Sequence, residues 1–152
     1  MKSKAAPNSE AFPLSDYLCF AIYSTHLAFS RAHKPLLDEL GLTYTQYITI
    51  IAISEEGGLT VGALGEKLFL ESNTLTPMLK KLEAMELVER QRDARDERLV
   101  RVQLTKAGRR AREKAKNMVA CMREATGLEP DEFRKMQQGI VALRDSLVRS
   151  AQ

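Results

Sequence analysis

From Leu87 to Thr105 the chain reads LVERQRDARDERLVRVQLT, and there the helical apolar period of the segment before it gives way to that of a strand. Val100, Val102 and Leu104 alternate with Arg101 and Gln103, the signature of a half-buried strand. Residues from about Val88 to Arg92 can pair with it, and a polar, highly charged tip, Asp93 to Glu97, lies between. The stretch is a hairpin. Its flanking segments read at helical spacing, so any fold for this chain must fasten one charged hairpin to a set of helices.

The first helix is expected from about Ser15 to Leu40, with Ser15 as N-cap and Asp16 in the first turn. Its stripe is Leu14, Leu18, Ala21, Ile22, Thr25, Ala28, Phe29 and Ala32. Pro35 should kink or break it, and Gly41 can cap its end. A second helix is expected over about Tyr44 to Ser54, then a turn in EEGGLT. A short third helix in TVGALGEKLFL turns Val61, Leu64 and Leu68 inward. In the fourth, ESNTLTPMLKKLEAMELV, the inward residues are Leu75, Met78, Leu79, Leu82 and Met85. Pro77 removes one early hydrogen bond there and makes the helix start a candidate for irregularity. After the hairpin, one helix is expected over about Lys106 to Thr126, with Ala111, Ala115, Met118, Val119, Met122 and Thr126 on its stripe. The last begins near Pro130, with Phe133, Met136, Ile140, Leu143 and Leu147 at spacings of three and four.

The 152 residues, 44% hydrophobic and 28% charged, suit a single domain with a real core. No run approaches the roughly 18 apolar residues of a membrane span. MKSKAAPNSEAFP reads as a polar arm rather than a signal peptide, so the expected compartment is the cytoplasm. Two cysteines are too few for a disulfide scaffold and match no zinc spacing. Neither a metal set, a cofactor motif nor an acid–base constellation is visible, and no enzyme is expected.

Two short helices joined by a tight turn, then a charged hairpin, make a winged helix-turn-helix. The fold class is mainly α with a small β wing. A B-DNA major groove admits one helix, and a hairpin beside it can reach the next minor groove. On the outer face of the fourth helix, Ser72, Asn73 and Thr76 can bond base edges or phosphates. Pro77 lies on that face too, and Lys80 and Lys81 can neutralise phosphates. The hairpin adds Arg92, Arg95 and Arg98, with Asp96 placed to orient Arg98. Residues of about 43–105 are expected to form this DNA-binding part. Residues of about 1–42 and 106–152 supply dimerisation helices, since their stripes would otherwise be exposed. A homodimer would present two reading helices to a palindromic operator.

The architecture resembles the MarR family of dimeric winged-helix repressors. LCFAIYST, KPLLDELGLTYTQY, LFLESNTLTPMLKKLE, DERLV and LTKAG are similar to its organic-hydroperoxide-sensing branch, over nearly the whole chain. The resemblance implies that reduced protein represses and that organic hydroperoxide, acting on the cysteine of LCF, here Cys19, releases the operator. It implies a minor-groove role for Arg98 with Asp96 as partner. It places tyrosines near the thiol, carried by the partner subunit; Tyr23 and Tyr44 match, while His33 stands where a tyrosine is usual. It also implies the two-cysteine subgroup, in which Cys121 would form an intersubunit disulfide with oxidised Cys19.

From the residues alone, Cys19 lies roughly 100° from the centre of its helix's stripe, beside Tyr23 and His26. That is an edge position, open either to a sensor or to a small packing residue. Cys121 also lies off its stripe, as a resolving thiol or a spectator. Three rivals stand beside the sensor: a MarR-type regulator answering a small ligand with inert cysteines, a thiol peroxidase, and a purely structural dimer.

Overall fold

The computed structural model describes residues 12–151. Residues 1–11, most of the polar arm, and residue 152 lie outside the described residues. Pro13 opens a single 3-10 turn, Leu14–Asp16, in which the Asp16 amide donates to Pro13 O at 2.9 Å. Ser15 is therefore not the cap of the long helix, and its hydroxyl donates to Asp16 Oδ1 at 3.1 Å instead. Helix α1 starts later, Leu18–Leu40, behind Tyr17 and without a side-chain cap. Pro35 does not break it. One hydrogen bond is lost, and buried Leu37, with half-buried Leu36 and Leu40, holds the last turns on the core. Gly41 ends α1 in the left-handed conformation, φ 66°.

Helix α2 spans Tyr44–Glu56, reaching further than the turn signal suggested. A reciprocal cap fixes its start: the Gln46 amide donates to Thr43 Oγ1 at 3.3 Å and the Thr43 amide to Gln46 Oε1 at 2.9 Å. After Gly57 and Gly58 comes a strand that no period announced, β1, Leu59–Thr60. Helix α3, Val61–Leu68, is capped by Thr60 and ends at Phe69 in the left-handed region, φ 56°. Helix α4 is Ser72–Ala84 and runs through Pro77 from an ordinary start at Glu71. Strands β2, Val88–Arg92, and β3, Val100–Leu104, form the expected hairpin, with Val88 opposite Leu104 and Arg92 opposite Val100. β1 pairs on the far edge of β3, so the sheet is three-stranded and antiparallel, in the order β1-β3-β2.

The helix expected over Lys106–Thr126 is divided. Helix α5, Lys106–Lys114, passes through a 3-10 turn, Ala115–Asn117, into α6, Met118–Thr126. The tighter turn keeps Ala115, Met118 and Met122 buried and leaves Val119 outside, 66% exposed. Met85 also leaves the expected core, because α4 has ended at Ala84 and Glu86 takes φ 58°. Helix α7, Pro130–Ser150, has no buried residue.

The core sits where α2, α3, α4 and the sheet meet. Ile50, Ile53, Leu64, Leu75, Leu79, Leu82, Val88 and Val102 are essentially inaccessible. Truncating one such leucine costs about 2–5 kcal/mol, so the rotation of α4 about its axis is firmly set. Outside this core, Leu14, Leu18 and Ile22 before and along α1, and Met136, Ile140 and Leu147 on α7, are exposed.

Candidate nucleic-acid interface and its flanking thiols

With one face of α4 buried, the other is turned outward. Ser72, Asn73, Pro77, Lys80 and Lys81 are exposed and Thr76 is half-buried. Glu83 closes this helix face near its end, but its carboxylate is occupied: Arg90 on β2 donates to Glu83 Oε2 from Nη2 at 2.6 Å and from Nε at 3.0 Å. Arg90 holds that carboxyl below its ordinary range. The pair also ties the wing to the helix.

The wing tip is two aspartate-centred turns in series. Asp93 Oδ1 accepts the amides of Arg95 at 2.8 Å and Asp96 at 3.2 Å. Asp96 Oδ1 in turn accepts the Arg98 amide at 3.1 Å. The Arg98 guanidinium then folds back on Asp96, Nε to Oδ1 at 3.0 Å and Nη2 to Oδ2 at 3.1 Å. Asp96 thus orients Arg98, whose side chain is still 88% exposed. Arg98 lowers the Asp96 carboxyl below its usual value, and Asp96 raises the guanidinium's. Arg95 is exposed. Arg92 is also exposed, and its Nη1 donates to Glu97 O at 2.7 Å, closing the loop from the β2 side.

Sequence reasoning missed what carries this tip. Asp93 is 12% exposed, and Arg101 of β3 donates to its Oδ2 from Nη1 at 3.2 Å. The other guanidinium nitrogen, Nη2, donates to Gly58 O at 3.2 Å. An aspartate at the opening of a charged loop is a turn signal, since its side chain can accept amides two and three residues on. That signal was available in DARDER.

Cys19 is the second residue of α1 and is exposed, as is Cys121 on α6; both are free thiols. Of the residues placed near the thiol, Tyr23 follows one turn later on the same helix. His33 and Tyr44 meet each other, ring centroids 4.9 Å apart and edge to face, with His33 Nδ1 2.8 Å from Phe29 O. His33 lies about 21 Å along α1 from Cys19, fourteen residues at about 1.5 Å each. Within one protomer, the His33–Tyr44 pair is therefore not a neighbour of Cys19.

Residues 31–117 match the family model described as transcriptional regulator SarA/Rot. The chain is 42% identical to the HTH-type transcriptional regulator TtmR of Methylorubrum extorquens, over 88% of this chain and 69% of that one. It is 35% identical to the organic hydroperoxide resistance transcriptional regulator of Bacillus subtilis, over 88% of this chain and 91% of that one. The fold is shared with a mutant MarR from E. coli solved in complex with operator DNA. The TM-score is 0.79 at 23% identity, covering 89% of this chain and 99% of that one. No helix among the described residues is long and apolar enough to cross a membrane. A helix with an exposed polar face beside a braced wing, on a chain whose relatives are transcriptional regulators, places the protein: it belongs to the MarR family of winged-helix transcriptional regulators.

Proposed function

We propose that the protein is a homodimeric repressor that grips a palindromic operator with two copies of the α4–wing surface and releases it when organic hydroperoxide oxidises Cys19. The observation that carries this reading is the position of Cys19. It is an exposed thiol in the first turn of α1, the helix whose residues Leu18 and Ile22 also stand open for a second copy. Chemistry at this thiol therefore acts on the seam that fixes the spacing of two reading heads. The description of the Bacillus subtilis relative supports organic hydroperoxide as the oxidant.

The steps balance without a cofactor. The Cys19 thiolate attacks the terminal, OH-bearing oxygen of the hydroperoxide and breaks the O–O bond; sulfur becomes sulfenic acid, and the displaced alkoxide takes up from water a proton equivalent to the one the thiol gave up and leaves as an alcohol. The Cys121 thiol of the partner subunit then attacks that sulfur, expels water and forms a disulfide, which requires Cα atoms within about 7 Å. Helices drawn together in this way shift the heads away from two successive grooves.

The test uses a duplex selected from a random-sequence pool by the reduced wild-type protein. Cys19→Ser should bind it and should keep it after organic hydroperoxide treatment. Oxidised wild type should run as a covalent dimer on non-reducing gels, and dithiol should restore both the monomer band and DNA binding. Cys121→Ser should still oxidise at Cys19 but proceed to sulfinic or sulfonic acid. Normal peroxide release by Cys19→Ser removes the thiol from the mechanism, and identical oxidation products in wild type and Cys121→Ser remove the disulfide.

A second reading, release by a small anionic ligand, has one observation in its favour. Arg112 Nε is buried with no hydrogen-bond partner among the described residues, close enough to Tyr47 to oppose the upward push of burial on the Tyr47 hydroxyl. Release of the selected duplex by benzoate from Cys19→Ser, abolished in Arg112→Met, would favour it over the thiol.

A further inference from the structure

We infer that Asp93 is a positioning residue for operator reading: anchored through Arg101 to the Gly58 carbonyl, it sets the turn that aims Arg98. This rests on the proposed role of Arg98 at the DNA. The geometry runs in one direction. Gly58 belongs to the turn after α2, where φ is 134°, and a Cβ there would meet Gln103 Cγ at 3.0 Å. Glycine is thus required for the backbone that presents this carbonyl. Arg101 spans from that oxygen to Asp93 Oδ2, both at 3.2 Å. Arg101 sits on the central strand of the sheet, paired on both sides, opposite Thr60 of β1 and Gln91 of β2. Its base is therefore fixed independently of the loop.

Asp93 hands this anchorage on. Its second oxygen accepts the Arg95 and Asp96 amides, and these amide bonds, with Arg101, hold the Asp93 carboxyl below its ordinary range. Asp96 cannot brace Arg98 at a defined angle unless its own backbone is held. Arg98 is 88% exposed and would otherwise sample many rotamers. The seven residues from Arg92 to Arg98 hold three arginines and three acids, so the tip has no net charge with which to attract DNA. Its contribution depends on where one guanidinium points. This explains why a carboxylate near a phosphate backbone is useful here.

The experiment measures affinity and salt dependence for the duplex selected by reduced wild-type protein. Arg98→Ala should bind about 5- to 150-fold more weakly, the range for one directed base contact. Asp93→Ala should lose most of that factor and flatten the log-affinity against log-salt slope, although it removes a negative charge. Asp93→Asn keeps an oxygen for the two amides and should recover part of the loss. The Asp93→Ala/Arg98→Ala double variant should bind no worse than Arg98→Ala alone. Arg101→Lys, which keeps the charge but cannot fork to both oxygens, should show the same pattern more weakly and serves if Asp93→Ala unfolds. Wild-type affinity in Asp93→Ala overturns the inference, as does a double-variant loss equal to the product of the single losses. Wild-type affinity in Arg98→Ala instead overturns the wing reading itself, and the role of Asp93 with it.

Discussion

Gly108, the glycine of LTKAG, lies in the first turn of α5, where helix propensity and packing predict opposite signs for Gly108→Ala. By propensity, alanine in a helix is favoured by about 1 kcal/mol. By packing, the new Cβ would run into the Leu87 carbonyl. That carbonyl cannot step aside freely, since the Thr105 amide donates to it at 3.1 Å. Thr105 also donates from Oγ1 to Glu86 O at 2.6 Å and accepts the Gly108 amide at 3.0 Å as the cap of α5. Moving α5 outward to admit a methyl group therefore strains three bonds at once. A cap is worth about 1 kcal/mol and each of the other two about 1 kcal/mol net. Losing all three outweighs the propensity gain by about 2 kcal/mol, before any residual overpacking of about 1–3 kcal/mol.

Net destabilisation of about 2–5 kcal/mol should lower Tm by roughly 4–20 °C, at about 2–4 °C per kcal/mol for a domain near this size. Differential scanning calorimetry at fixed protein concentration reads it directly. A raised Tm in Gly108→Ala would refute the reasoning. A companion variant separates the terms: Thr105→Ala removes the cap and the Glu86 bond without adding a Cβ against Leu87, and should cost less than Gly108→Ala.

Three further outcomes follow from the same geometry. Asp96→Ala makes the wing tip more positive, yet should weaken binding to the selected duplex while leaving binding to unrelated duplex equal or tighter; tighter specific binding would mean that net charge, not bracing, governs the wing. Ile140→Glu on the exposed stripe of α7 should shift sedimentation at micromolar concentration towards monomer, and an unchanged dimer would remove that stripe from the interface. The Asp93 carboxyl is lowered in the folded protein, so its contribution is complete above the ordinary value of 3.8 and is lost only as pH falls below it. The Arg95 amide shift should accordingly titrate with a midpoint under 3.8, and a midpoint at or above that value would contradict the Asp93 turn.

What the sequence disclosed depended on how many residues shared one period. The α4 face was legible because Leu75, Met78, Leu79 and Leu82 repeat over two turns, and the hairpin because five residues alternate on β3. β1 has two residues, too few for any period, and appears only because β3 offers it an edge. Ser15 failed as a cap for a related reason: cap chemistry is local and redundant, and Pro13 had already committed the chain to a 3-10 turn. The division after Lys114 was hidden because a 3-10 turn displaces a stripe by a fraction of a residue. Val119 fell outside while Met118 and Met122 stayed in.

The wing arginines were legible as charge but not as geometry. Arg92, Arg98 and Arg101 look alike in the sequence, yet one closes the loop, one is aimed outward and one is the anchor. The difference comes from which acid or carbonyl each can reach, a property of the folded turn rather than of composition. The stripes of α1 and α7 carry the complementary lesson. Their periods identify apolar faces correctly, but an apolar face inside a protomer and one shared between two copies have the same period. Leu18, Ile22, Ile140 and Leu147 read as stripes for a dimer seam and stand exposed in the single protomer. On the proposed reading a second copy completes these faces; Cys19, next to Leu18 in α1, adjoins one of them, and Cys121 is exposed on α6. In the mechanism proposed above, oxidation acts on dimer geometry first and on DNA only through it, so thiol state should alter the spacing between heads without altering the fold of either head.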